Sequence, residues 1–232
     1  MLIASKGGLS LPSTFFQINC NGLQKPYRTH EKAPLILPVV SVQIRAENIA
    51  GFQLQSIQPH LEYIKTIDAG RQHDATSFIP SLGRLQPFLR ALLVADGTVT
   101  LLLGAYFDEP VVVETTAQAG WVAETSLPHL GLLVGDNAFF RQVDLIGGST
   151  GHIYAQATSV LNPAALPPAL FAALIKEDVG MGEVLRNSAR GSYREILDIR
   201  VVDEERIART YTVTLDTRPA IIITEVFNSR WF

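Results

Sequence analysis

Glu225 is the first residue whose setting suggests chemistry. It lies in A-I-I-I-T-E-V-F at 220–227, a segment that otherwise has the apolar and β-branched composition of a buried strand. Moving an unpaired carboxylate from water into such surroundings costs several kcal/mol. The Glu225 carboxylate is therefore expected either to pair with a cation or to serve the function of the protein.

Two arginines are candidate partners for Glu225. Alternate side chains of a strand share a face, so Arg141 lies on the apolar face of 138–146 and Arg209 on the apolar face of 209–215. An apolar cavity with a few charged groups is the usual form of a small-molecule site. The same pattern also fits a purely structural ion pair between Glu225 and one of the arginines.

Other kinds of active site find little support in the sequence. The five histidines lack the i, i+2 or i, i+4 spacing of metal ligands, so no metal site is predicted. No G-x-S-x-G nucleophile motif occurs. The glycine-rich G-G-S-T-G at 147–151 lacks the lysine of a phosphate-binding loop and is better explained as a hairpin turn.

The elements that must position these residues follow a regular pattern from about residue 86 onward. Proline at a helix start and leucines on one face predict helices after Pro87 and after Pro167, the second ending near Gly180. Further predicted helices and strands are the helices 99–107 and 182–186 and the strands 110–115, 138–146, 152–160, 209–215 and 220–227. In the strand 209–215 the threonines 210, 212 and 214 form a face that we expect to contact solvent.

This order of elements predicts an α+β fold. Two pairs of neighbouring strands are joined by short turns, at 147–151 and at D-T-R-P, and no βαβ rhythm occurs, so the sheet should be antiparallel with helices over it. Residues 86–232 are predicted to form this domain. Residues 1–85 contain scattered prolines and are predicted to be an N-terminal extension, with a short helix at 61–65.

Composition restricts the class of partner and the compartment. The chain has 232 residues, 47% of them hydrophobic, one cysteine and a net charge of −3. Residues 86–232 contain seventeen acidic against eleven basic side chains, which argues against a nucleic-acid partner but not against a small anionic ligand. No apolar run reaches the length of a membrane span, and a single cysteine suits a reducing compartment, so a cytoplasmic protein without a membrane partner is expected.

Six short motifs, in register over residues 86–232, resemble the chorismate pyruvate-lyase family. They are A-D-G-T-V-T (95–100), L-P-P-A-L (166–170), G-M-G-E-V-L (180–185), R-E-I-L (194–197), R-T-Y-T-V (209–213) and I-T-E-V-F (223–227). The resemblance implies an antiparallel sheet that encloses a ligand pocket. It also implies conversion of chorismate to 4-hydroxybenzoate and pyruvate without a cofactor.

The resemblance also implies roles for individual residues. Glu225 matches the family's active-site glutamate near the ring hydroxyl, and Arg141 is similar to the arginine that holds the ring carboxylate. Val99 and Met181 fall near positions that contact the ring, and Arg209 is a second candidate anion binder.

Three alternative hypotheses remain at the sequence level, the first being a relative of the family that has lost its activity. Similar domains serve as effector-sensing modules of bacterial transcription regulators, which bind an aromatic acid or another small ligand without cleaving it. Residues 1–85, however, show no clear paired helices of the kind that such regulators use to bind DNA. An enzyme that forms another hydroxybenzoate isomer is the third alternative.

Overall fold

The computed structural model describes residues 57–68, 82–176, 180–188 and 191–232. Most of the predicted N-terminal extension therefore lies outside the described residues. The domain boundary near residue 85 stays a prediction.

A six-stranded antiparallel sheet forms the centre of the fold. Its strands are β1 (Val111–Val122), β2 (Asn137–Gly147), β3 (Ile153–Leu161), β4 (Ser192–Val201), β5 (Arg206–Leu215) and β6 (Arg218–Asn228). They lie in the order β1-β2-β3-β6-β5-β4, and every neighbouring pair is antiparallel. The predicted α+β fold with an antiparallel sheet is confirmed.

Five α-helices accompany the sheet in the described ranges. They are α1 (Gln58–Asp68), α2 (Pro87–Val94), α3 (Val99–Phe107), α4 (Pro168–Leu174) and α5 (Met181–Ser188). The predicted short helix at 61–65 lies within α1, and α4 ends at Leu174, earlier than the predicted end near Gly180. None of the helices in the described ranges is long and apolar enough to cross a bilayer.

The helices cover the two faces of the sheet unequally. Helices α2, α3, α4 and α5 contribute buried leucines to one face, which we call the front face. Helix α1 packs Leu61, Ile64 and Ile67 against the opposite face, the back face, where they meet Phe140 and Ile222.

The prediction that the three threonines of β5 contact solvent is wrong for two of them. Thr210 and Thr212 are buried, because they lie on the back face beneath α1. Thr210 bonds Thr224 across the strands at 2.8 Å, and Tyr63 of α1 lies 3.2 Å from its hydroxyl. The sequence did not predict that a helix covers this face, and Tyr63 of that helix contacts the Thr210 hydroxyl.

Strand β4 has no counterpart among the predicted strands. Its residues S-Y-R-E-I-L-D-I-R-V alternate between apolar and charged side chains only over 197–201, and it forms an edge of the sheet with one neighbour, β5. A register shift between Ile196 and Asp198 interrupts the period-two pattern.

Candidate active site

The strand register places the candidate residues in two rows on the front face. Each row crosses β2, β3, β6 and β5 in turn. The first row is Arg141, Ser159, Ile223 and Tyr211, and the second is Val143, Ala157, Glu225 and Arg209. Arg141 and Glu225 therefore share one face of one sheet, separated by a single strand.

A cavity lies over these rows, between the sheet and the first turns of α3 and α5. The volume that the centre of a water molecule can reach is about 60 Å³. All space not filled by protein atoms, in the cavity and at its open mouth, amounts to about 560 Å³. A single water needs roughly 10–15 Å³ on the first measure, so the cavity has room for about four to six waters. Its polar lining includes Thr98, Arg141, Ser159, Arg194, Tyr211 and Glu225.

Glu225 is 5% exposed and has two strong partners. Arg209 Nε donates to its Oε2 at 2.6 Å, and the Tyr211 hydroxyl donates to its Oε1 at 3.1 Å. Burial and the neighbouring carboxylate raise the pKa of Tyr211, so the phenol stays protonated and remains a donor. The carboxylate thus has a fixed orientation, and each of its oxygens can accept one further hydrogen bond.

Arg209 contacts Glu225 from outside the lining of the cavity. Besides the ion pair, its Nη1 donates to the carbonyl oxygens of Leu92 and Ala95, at 2.7 and 2.6 Å. Burial lowers the pKa of Arg209, but the Glu225 carboxylate and the other acidic groups nearby together outweigh this effect, and the net pKa lies above its ordinary value. Arg209 is absent from the residues that line the cavity.

Arg141 lines the cavity from the β2 side and is 1% exposed. Its Nη1 donates to the carbonyl oxygen of Leu174, the last residue of α4, at 2.5 Å. Its Nη2 donates to Thr115 Oγ1 at 3.0 Å. These contacts fix the orientation of the planar guanidinium group. A planar pair of N–H donors is the arrangement that binds both oxygens of a carboxylate.

Val99 and Met181 are the first residues of α3 and α5, and both line the cavity. The first N–H groups of a helix have no partner within the helix, and Thr98 makes no side-chain cap. Two helix starts with partial positive charge therefore border the same cavity. A Cβ on Gly182 would lie 3.2 Å from Thr98 Cγ2, so glycine permits the two helix starts to approach closely.

No three His, Cys, Asp or Glu side chains in the described ranges lie close enough together to hold a metal ion. The polar groups around the cavity are instead suited to an anion that has a hydroxyl group: two guanidinium groups, two helix starts and one carboxylate acceptor.

Comparison with known proteins identifies the family. A sequence model of the chorismate pyruvate-lyase Rv2949c-like family matches residues 93–232. The chain belongs to this family. The resemblance that the six motifs indicated is thereby confirmed.

Relatives of this chorismate pyruvate-lyase family member are distant in sequence. The chorismate pyruvate-lyase of Mycobacterium tuberculosis is 26% identical over 161 residues, which cover 62% of this chain and 81% of the relative. That of Mycobacterium leprae is 25% identical over 158 residues, covering 62% and 75%. Among solved structures, the effector domain of PhnF from Mycobacterium smegmatis aligns with 59% of this chain and 91% of its own, at 12% identity and a TM-score of 0.47.

Four of the five site residues proposed from the sequence line the cavity of this family member: Val99, Arg141, Met181 and Glu225. Arg209 instead contacts Glu225. Sequence reasoning did not single out Thr98, Tyr211 or Arg194. The glycines in A-D-G-T and G-M-G, beside the starts of α3 and α5, could have indicated that Thr98 lies near the site. Arg194 lies on β4, the strand that was not predicted.

Proposed function

We propose that this protein eliminates pyruvate from chorismate to give 4-hydroxybenzoate. The observation that supports this most directly is the presence of Glu225 and Arg141 in one cavity on the front face of the sheet. The family relationship supports the same reaction class. A pocket bounded by fixed donors at one end and a fixed acceptor at the other matches a ring with a carboxylate and a hydroxyl in para positions.

The ring carboxylate binds to Arg141 and to the helix starts at Val99 and Met181 in this proposal. Arg141 supplies a full positive charge and a planar pair of donors, and the backbone N–H groups supply further donors. Val113, Val143 and Ala157 provide apolar contacts for the faces of the ring.

Glu225 accepts a hydrogen bond from the hydroxyl on C4 of the ring. Its carboxylate does not have to rotate into place, because Arg209 and Tyr211 already hold both oxygens. A preorganised acceptor avoids the reorganisation that water would require during the reaction.

The reaction breaks the bond between C3 and the enolpyruvyl oxygen and removes the hydrogen from C4. The electron pair of the C4–H bond completes the aromatic ring, and the proton is balanced by the new C–H bond at the methylene carbon that turns enolpyruvate into pyruvate. Aromatisation favours this step, so the protein chiefly has to hold the reactive conformer and exclude water. Positioning of this kind contributes up to several kcal/mol.

The first test is a product assay. Purified protein with chorismate should release equal amounts of pyruvate and 4-hydroxybenzoate, whereas unchanged chorismate would refute the proposal. Chromatography distinguishes 4-hydroxybenzoate from its isomers. Binding of chorismate or an aromatic acid without turnover would favour the ligand-sensing alternative.

The second test changes the acceptor. Glu225→Gln should lower kcat by about 10²–10³-fold, the range expected for the loss of one preorganised electrostatic contact. The matched control is Glu195→Gln, which removes the same charge from an exposed position on β4 and should leave kcat unchanged.

Since Glu225→Gln leaves Arg209 buried without its counter-ion, a milder variant is needed. Tyr211→Phe removes one hydrogen bond to Glu225 and keeps the ion pair, and it should lower kcat by about tenfold, as expected for a hydrogen bond to a charged group. Full activity in both folded variants would exclude the role proposed for Glu225.

A further inference from the structure

We propose that Arg194 binds the second carboxylate of the substrate, the one on the enolpyruvyl group, at the side of the cavity opposite Arg141. This inference rests on the proposed function, because it concerns a dianionic substrate in the same cavity. It assigns to Arg194 the task that the sequence suggested for Arg209.

Arg194 reaches the cavity from the edge strand β4. It pairs with Val213 of β5, and Ile196, two residues along, pairs with Tyr211 of the first row. Arg194 therefore lies on the front face, and it is one of the lining residues. The positive charge of Arg194 also acts on Tyr211. Burial and the Glu225 carboxylate raise the pKa of Tyr211, and Arg194 offsets part of that increase.

The guanidinium of Arg194 has donors to spare. Its Nη1 donates to the carbonyl oxygen of Asp96, in the turn between α2 and α3. Within the described ranges, no carboxylate lies at salt-bridge distance from it. An arginine has five N–H donors, so a planar pair remains for a ligand carboxylate while the contact with the Asp96 carbonyl oxygen holds the side chain in place.

Arg209 is poorly placed for this task. Its three hydrogen bonds go to Glu225, Leu92 and Ala95, and it lies outside the cavity lining. A substrate carboxylate at Arg209 would also have to compete with the Glu225 carboxylate 2.6 Å away. Arg194 offers a cation without such a competitor.

Arg141 and Arg194 stand on opposite sides of the cavity. Strands β2 and β4 are separated by four strand intervals, roughly 19 Å at about 4.8 Å per interval. The long side chains of Arg141 and Arg194 extend into this gap from its two ends. The space that remains between them can hold a ring with an anionic group on either side. Chorismate has two carboxylates, whereas 4-hydroxybenzoate has one. Arg194 should therefore strengthen binding of the substrate without strengthening binding of the aromatic product.

The test compares substrate with product in the same variants. Arg194→Gln should raise the KM for chorismate by about 10–100-fold, the range expected for hydrogen bonds to a charged group. It should leave the inhibition constant of 4-hydroxybenzoate within about twofold of wild type. Arg194→Lys keeps the charge but not the planar fork, and it should fall between the two.

The matched control is Arg90→Gln, which removes the same charge from an exposed position on α2. It should change neither constant. An unchanged KM in Arg194→Gln would overturn the proposal, and so would a parallel loss of substrate and product affinity, because that result indicates a general disturbance of the α2–α3 turn.

Failure of the proposed function gives a different result. If the wild-type protein binds chorismate without cleaving it, the same comparison is made by calorimetric titration with chorismate and with 4-hydroxybenzoate. A selective loss of chorismate affinity in Arg194→Gln then supports the role of Arg194 although the lyase proposal has failed. Wild-type protein that binds neither compound overturns both proposals.

Discussion

At the scale of single residues, the Glu225–Arg209 pair combines a structural task with the chemical task that the proposed function gives to Glu225. Both side chains are nearly inaccessible to solvent, and an ion pair in such a place contributes little net stability compared with apolar residues of the same size. Its presence is better explained by the need for a charged acceptor held rigidly in the cavity. The structural reading and the functional reading of Glu225 are thus compatible.

Removal of Arg209 should be costly because it leaves the carboxylate buried alone. Arg209→Met is expected to lower the free energy of unfolding by about 3–5 kcal/mol, measured by urea denaturation. The double variant Arg209→Met with Glu225→Gln removes both charges and should recover part of this loss. Full recovery is not expected, since the carbonyl oxygens of Leu92 and Ala95 also lose their donor. Equal stability of the single variant and wild type would contradict this account.

At the scale of elements, the β2–β3 hairpin depends on a side chain from outside it. Glu109 Oε2 accepts hydrogen bonds from the backbone N–H groups of Ser149 and Thr150, at 2.7 and 3.0 Å, and Tyr154 donates to Oε1. A Cβ on Gly147 would overlap the Glu109 carboxylate, so that glycine allows a close approach. A carboxylate thus organises the turn.

These donors give the hairpin a pH-dependent stability. The hydrogen bond from Tyr154, with those from Thr150 and Ser149, lowers the pKa of Glu109 from its ordinary 4.5 to about 2. The folded state therefore binds this proton less readily than the unfolded state, and the stabilisation is complete above about pH 4.5 and lost as the pH falls towards 2.

Glu109→Gln tests this dependence. In this variant a neutral amide replaces the carboxylate that accepts hydrogen bonds from two backbone N–H groups. The variant should therefore have a lower urea midpoint than wild type at pH 7. The difference between the two midpoints should shrink as the pH is lowered from 5 towards 2. A difference that is constant over this range would show that the charge of Glu109 does not stabilise the turn.

The elements also show how far sequence reasoning extends. Hairpins with clear turn residues were predicted, because a short turn such as Asp216–Thr217, with φ of 45° and 71°, determines its own register. Strand β4 was not predicted, because its alternation is interrupted by a bulge and half of its residues are exposed. The front-face positions of Arg141 and Glu225 followed from alternation. The positions of Arg209 outside the cavity lining and of Arg194 within it depend on contacts with the α2–α3 region that no local pattern specifies.

At the scale of the whole molecule, helix α1 belongs to the core although it precedes the residues that the family model matches. The match begins at residue 93, and α1 ends at Asp68. Its Tyr63 hydroxyl donates to Asp198 at 2.6 Å, and Arg200 lies 3.7 Å over the Tyr63 ring. Helix α1 thus covers the back face of strands whose front face forms the cavity.

Loss of this cover should affect stability and spare the cavity. Ile64 is fully buried against the back face, and Ile64→Ala should lower the free energy of unfolding by about 2–5 kcal/mol. The control Glu62→Ala alters an exposed side chain of the same helix and should change it by less than about 0.5 kcal/mol. Since the cavity lies on the other face, the kcat/KM of folded Ile64→Ala should match that of wild type. A lower kcat/KM in the folded variant would instead mean that α1 acts on the cavity through the sheet, whereas unchanged stability would mean that Ile64 of α1 is not part of the core.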